Sequence, residues 1–155
     1  MAAIIPYSAD NIPSEVLKNM LDTYWDERQR REIPKPNFYL PNIEIRVDLH
    51  TADACVIRLG TIGVVDTQRG NFVYKDIKID MSIELLTMAS RQRLYDLRQE
   101  IERICYTHKH DLTEYQLVRM KSFIENSTDY VNVWAGTISI SLESSGILAC
   151  YEYTP

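Results

Sequence analysis

The chain has 155 residues, 45% of them hydrophobic and 25% charged, with a formal net charge of −5. Its size suits one domain around one core, and its composition excludes a disordered or fibrous class. The acidic balance also speaks against a protein whose main task is to grip nucleic acid, because such domains collect Lys and Arg against phosphates.

Apolar runs of only a few residues leave no membrane span. The opening Met-Ala-Ala-Ile-Ile-Pro lacks the basic start and full apolar segment of a signal peptide, so the chain is expected to stay in the compartment where it is made. Cys55, Cys105 and Cys150 are odd in number and form no C-x-x-C pair. Buried free thiols in a reducing cytoplasm follow, rather than disulfides or a zinc site.

In chain order, Asn11 as cap, Pro13 in the first turn and Glu15 near the positive end open a helix over 13–28. Val16, Leu17, Met20, Leu21, Tyr24 and Trp25 give it a wide apolar face. A proline-containing basic loop follows over 29–42, with Arg28, Arg30, Arg31 and Lys35 around Pro34 and Pro36. It reads either as a solvated connector or as a surface kept for a charged partner. Strands are expected across 43–86. Ile43, Ile45, Val47 and Leu49 alternate with polar residues, His50 to Asp53 turn the chain, and Cys55 to Leu59 form a second, more central strand. Ile62, Val64 and Val65 form a short third strand or extend the second past Gly60, and residues 66–71 reverse the chain.

The stretch from Phe72 is the most explicit. Val73, Ile77, Ile79, Met81, Ile83 and Leu85 alternate with Tyr74, Asp76, Lys78, Asp80, Ser82 and Glu84, interrupted only by Lys75. That is a strand with one buried and one wet face, about 40 Å long and twice the usual length. A strand that outruns its neighbours exposes backbone donors and acceptors, which points to assembly with other copies. An amphipathic helix follows over 90–106, capped by Ser90, with Leu94, Leu97, Ile101, Ile104 and Cys105 on one stripe. Arg91 and Arg93 stand in its first turn against the helix dipole, which calls for either salt bridges to strand carboxylates or a functional surface. A capping box at Thr113 to Gln116 and the stripe Leu117, Met120, Phe123 and Ile124 predict a third helix over 113–126. A C-terminal hairpin is expected over 130–153, bulged or bent at Ala135-Gly136 and turning at Glu143 to Gly146. The fold class is α+β: a mostly antiparallel sheet with one over-long strand, flanked by two or three helices.

The search for chemistry returns little. No nucleotide-binding glycine motif, zinc-protease motif or nucleophile elbow is present, and catalytic, cofactor and metal residues are all expected to be none. His108 and His110 lie two apart on a linker beside Asp111, and His50 sits in a turn with no nucleophile nearby. Asp76, Asp80 and Glu84 are about 13 Å apart along the strand, too far for acid/base partnership, and make a negative stripe around Lys78. Ten tyrosines against three phenylalanines favour half-buried or interface positions.

The order of an N-terminal helix, a proline-rich loop, a hairpin and a long alternating strand leading into Arg91-x-x-Leu94-x-x-Leu97-x-x-x-Ile101 resembles the tail terminator (tail completion) proteins of long-tailed bacteriophages. The similarity covers roughly residues 13–105, and the segment over 113–126 departs from the shortest members. The resemblance implies a non-enzymatic virion protein: a hexameric ring at the head-proximal end of the tail that ends tube polymerisation and docks to the neck. Its partners would be further copies of itself, the tail tube protein and a neck or head-completion protein, with assembly in the host cytoplasm and no membrane. DNA would pass through the lumen unbound, since six copies at −5 carry roughly −30. Arg28, Arg30, Arg31 and Lys35 would then face a neighbouring ring, while Arg91, Arg93, Tyr74, Asp76, Lys78 and Asp80 would serve contacts between subunits. A head-completion or neck adaptor of the same junction, and a non-viral intracellular α+β binding domain, are the alternatives.

Overall fold

The computed structural model describes residues 12–25, 34–40, 52–69, 72–112, 115–128 and 131–147. Its elements are α1 (Pro13–Tyr24), β1 (Asn37–Tyr39), β2 (Ala54–Arg69), β3 (Phe72–Thr87), α2 (Arg91–Thr107), β4 (Leu117–Asn126) and β5 (Trp134–Ile147). The strands form one sheet in the order β1-β2-β3-β5-β4. Every neighbouring pair is antiparallel except β1 with β2. The fold is therefore α+β with a mostly antiparallel sheet.

The period-2 pattern of β3 decides which face is covered. Ile77, Ile79, Met81, Ile83 and Leu85 are buried, while Asp76, Lys78, Asp80, Ser82 and Glu84 are exposed or half-buried. On the buried face Ile79, Met81 and Ile83 stand opposite Leu142, Ile140 and Ile138 of β5, and Cys55 and Ile57 of β2 continue the row. Leu94, Leu97, Ile101 and Ile104 of α2 and Val16, Leu17, Met20 and Leu21 of α1 complete the same cluster. Each Leu or Ile removed from water here contributes about 1.5–3 kcal/mol, so one core binds both helices to the sheet.

Ser90 caps α2 as its sequence suggests, its hydroxyl accepting from the amide of Arg93 at 3.0 Å. In α1 the cap position is Ile12, which has no side-chain acceptor, and Pro13 fills the first helical position where no amide is needed. Cys55 and Cys105 are buried free thiols.

Several expectations need correction. The third helix expected over 113–126 is overturned where the chain is described: Leu117–Asn126 is a strand paired with β5. A bulge between Met120 and Ser122 accounts for the misreading, because an extra residue there puts Met120 and Phe123 on one face and so imitates helical spacing. β5 runs unbroken through Glu143 to Gly146, held by Lys78 and Lys75 of β3, so no turn forms there and the C-terminal hairpin is β4 with β5. No register shift occurs at Ala135-Gly136. Gly136 answers a different demand, since a Cβ there would lie 2.5 Å from the Phe123 ring.

Helix α1 ends at Tyr24, where Trp25 turns extended, short of the expected 28. Within the presumed loop, Asn37–Tyr39 is a strand parallel to β2. β2 does continue past Gly60, through a register shift between Leu59 and Ile62, and Arg69 pairs with Phe72. Strand β3 has 16 residues but does not outrun its neighbours, because β2 has 16 and β5 has 14. It is paired from Phe72 to Leu86 on one side and from Tyr74 to Thr87 on the other, so its own backbone asks for no sister molecule. Arg28, Arg30, Arg31, the strand expected over 43–49, Cys150 and residues 148–153 lie outside the described residues.

Candidate functional site

The two first-turn arginines of α2 are both engaged within the chain. Arg91 makes a two-pronged contact with Glu125 of β4, Nε and Nη2 each at 2.8 Å, and the Tyr95 hydroxyl donates to the same carboxylate at 2.8 Å. Hydrogen bonding from Arg91 holds the Glu125 carboxyl below its ordinary range and holds the Arg91 guanidinium above its own. Arg93 donates at 2.5 Å to Asp53, which also accepts from the Thr87 hydroxyl at 2.5 Å, and its other arm reaches the Pro34 carbonyl at 2.6 Å. Asp53 further accepts the Asn37 amide on its backbone carbonyl at 2.8 Å. Arg93 thus fastens the short strand β1 to the start of α2, which offsets the unfavourable dipole through strand and loop carboxylates.

The other candidate residues divide between faces. Lys35 binds Asp22 of α1, reaching both its carboxylate and its carbonyl. On the wet face of β3, Asp76 and Lys78 are exposed, while Asp80 accepts from Lys121 of β4 at 2.5 Å. That bond lowers the Asp80 pKa, and Arg58 stands 3.9 Å from Glu84. The expected negative stripe is therefore interleaved with cations from neighbouring strands. Tyr74 pairs through its backbone with Thr67 and Ile147. These candidates do not converge on one site.

A surface that sequence reasoning missed lies between α2 and β4. It is a groove of about 790 Å³, with Arg98, Glu102, Arg103, Tyr106 and Lys109 on the helix side and Leu117 to Phe123 on the strand side. Phe123 packs edge-on against Tyr95 at 5.5 Å, and Arg98 lies 5.9 Å above the Phe123 ring. Tyr106 is 74% exposed, and Lys109 lies 5.2 Å above its ring. β4 is the last strand of the sheet, and among the described residues nothing pairs along its outer edge except the Lys109 carbonyl, which accepts the Val118 amide at 2.9 Å. The signal was present in the alternation of Val118 and Met120 with Arg119 and Lys121, which is a strand pattern.

A buried carboxylate on α2 ties the two helices together. Glu100 is only 3% exposed and accepts from Arg103 at 2.5 Å, while Arg103 also donates to the Tyr24 carbonyl at 2.8 Å, joining α2 to the end of α1. Below it, His108 stacks on Tyr24 with ring centroids 3.6 Å apart and contacts Asp111 at 2.6 Å, and His110 Nδ1 donates to the Gln116 carbonyl at 3.0 Å.

Burial pushes the Cys105 thiol up to about 12 and raises the Cys55 thiol as well. Among the described residues no group of His, Cys, Asp and Glu is placed to hold a metal ion, and no helix is long and apolar enough to cross a membrane. Set against known proteins, the chain matches no family model and no curated protein sequence.

Proposed function

We propose that the chain is a structural protein that assembles into a ring at the head-proximal end of a long phage tail, where it ends tube polymerisation and docks to the neck. The observation that carries this is the β2–β3 hairpin. Both of its strands have 16 residues, and β1 pairs with β2 only at Ala54, Cys55 and Val56. Among the described residues the outer edge of β2 beyond Val56 is unpaired, which offers an extended backbone ladder to another copy. Pairing of that edge with a different surface of the next subunit is a head-to-tail contact, and such contacts close into rings when their rotation permits. Leu94, Leu97 and Ile101 of the R-x-x-L-x-x-L-x-x-x-I stripe, part of what carries the resemblance, are turned onto the sheet and fully buried.

In this role DNA passes through an acidic ring without being held, and the basic segment with Arg30 and Arg31 meets a neighbouring ring. Light scattering at high protein concentration, with and without purified tail tubes, tests the assembly. Rings of about six subunits, alone or on tube ends, are the expected result. A chain that stays monomeric and leaves tube length unchanged would reject the proposal. Arg30→Glu with Arg31→Glu is expected to block joining of tails to heads while the fold persists; unaltered joining removes the loop from that role. The groove between α2 and β4 favours a second reading, a binding domain that works as a monomer, and a solitary chain in the scattering experiment would select it.

A further inference from the structure

We infer that the groove between α2 and β4 binds an extended, acidic segment of a partner protein, which adds to the sheet as a strand beyond β4. Three observations converge on this occupant, and none depends on the chain being part of a phage tail.

The backbone is ready for a strand. The Val118 amide points away from β5 to the Lys109 carbonyl, and in an antiparallel ladder the outward groups recur every second residue. Met120 therefore presents its amide and carbonyl outward, and beyond the bulge Phe123 takes that parity, because Met120 and Phe123 stand opposite Ile140 and Ile138 of β5. The groove is also lined for side chains: Met120 and Phe123 are half-buried, Leu117 lies beside them, and the Tyr106 ring is 74% exposed. An added strand would drop alternate side chains onto these surfaces, as peptides do when they extend a sheet.

Charge then selects the peptide. On a chain of net charge −5, the groove gathers Arg98, Arg103, Lys109, Arg119 and Lys121 against Glu102. Arg103 is committed to the buried Glu100, while three of the others reach exposed or half-buried carboxylates: Arg98 to Glu102 at 2.6 Å, Arg119 to Glu143 at 3.3 Å and Lys121 to Asp80 at 2.5 Å. These last pairs are solvated, and exposed pairs of this kind are worth about 0–1 kcal/mol, so a partner carboxylate can exchange with them. Nucleic acid fits less well, because a strand edge satisfies peptide groups in series and offers phosphates only intermittent amides.

The test uses the full chain and three labelled probes in fluorescence anisotropy: a peptide of about ten residues alternating Val and Glu, its Val and Lys counterpart, and a single-stranded oligonucleotide. The acidic peptide is expected to bind saturably, more weakly as salt rises. Hydrogen exchange should then show added protection at Met120 and Phe123. Lys109→Glu combined with Arg119→Gln, both at exposed positions, should weaken binding by about tenfold or more while circular dichroism and the unfolding midpoint stay near wild type. Equal binding of the basic peptide, tighter binding of the oligonucleotide, protection away from β4, or unchanged affinity in the double variant would each overturn the proposal. If the double variant does not fold, Lys109→Gln alone is read by the same two measurements.

Discussion

Strands β3 and β4 belong to one sheet and alternate apolar with polar residues, yet they stand in opposite situations. β3 is bonded by β2 on one side and β5 on the other along nearly its whole length, and its inward residues Ile79, Ile83 and Leu85 are wholly buried. Among the described residues β4 pairs as a strand with β5 alone, and Arg119, Lys121, Ser122, Ile124 and Asn126 are exposed. Length therefore says little about whether a strand needs a partner; position in the sheet order decides it. A 16-residue ribbon between long neighbours is the most settled part of the molecule, and a 10-residue strand at the edge has capacity left over.

The contrast can be broken most severely at the core. Ile83→Ala removes a side chain with 0% exposure from between β2 and β5, and should cost about 2–5 kcal/mol, whereas Ile124→Ala on β4, 62% exposed in the wild type, should fall within about 0.5 kcal/mol of it. Urea unfolding at equal slope measures both. Comparable losses at the two positions would mean that the edge strand is as deeply committed to the fold as the centre, and that its open side is not spare.

The legibility of the sequence follows the same division. In β3 a strict two-residue period over Ile77 to Leu85 meets a clean switch to helical spacing after Ser90, and both elements form where the pattern puts them. In β4 a single bulge residue shifts the parity, and Leu117, Met120, Phe123 and Ile124 then satisfy a helical template as well as a strand. At residues 143–146, Glu-Ser-Ser-Gly has the composition of a turn, but the paired backbone of β3 overrides that preference. The pairing of Arg91 and Arg93 with Glu125 and Asp53 was foreseeable in kind from their misfit with the helix dipole. Its partners were not, because they lie 34 and 40 residues away in sequence. The groove is hidden in the sequence for the same reason, since the residue pattern of its β4 wall imitates a helix.

A smaller effect probes how β5 holds the edge. A Cβ on Gly136 would stand 2.5 Å from Cε2 of Phe123 and 3.2 Å from the Ile124 carbonyl oxygen. Gly136→Ala should therefore displace the Phe123 ring from Tyr95 and destabilise by about 1–3 kcal/mol. The cost should shrink when Phe123→Ala is present too, because the obstructing ring is then gone. Additive losses in that double-mutant cycle would place the strain in the Ile124 backbone and leave the ring uninvolved.

The smallest effect concerns pH and separates ionic from apolar attachment. The Glu125 carboxyl lies below its ordinary value of 4.5 because Arg91, and then Tyr95, hydrogen-bond its charged form. A carboxylate with a lowered folded-state pKa contributes stability that is fully present above the unfolded value and disappears as pH falls through the folded one. Asp80, lowered by Lys121, has the same sign. The tie between α2 and β4 should thus weaken below about pH 4.5, whereas the apolar contacts of α2 with β3 carry no such dependence. Glu125→Gln should change the unfolding midpoint little at neutral pH and make the decline on the acid side shallower than in the wild type. Hydrogen exchange in acid should report the loss first at β4 and last at β3. Parallel acid limbs for the two proteins, or loss of protection at β3 and β4 together, would show that the edge strand is held by its ladder to β5 and not by Arg91.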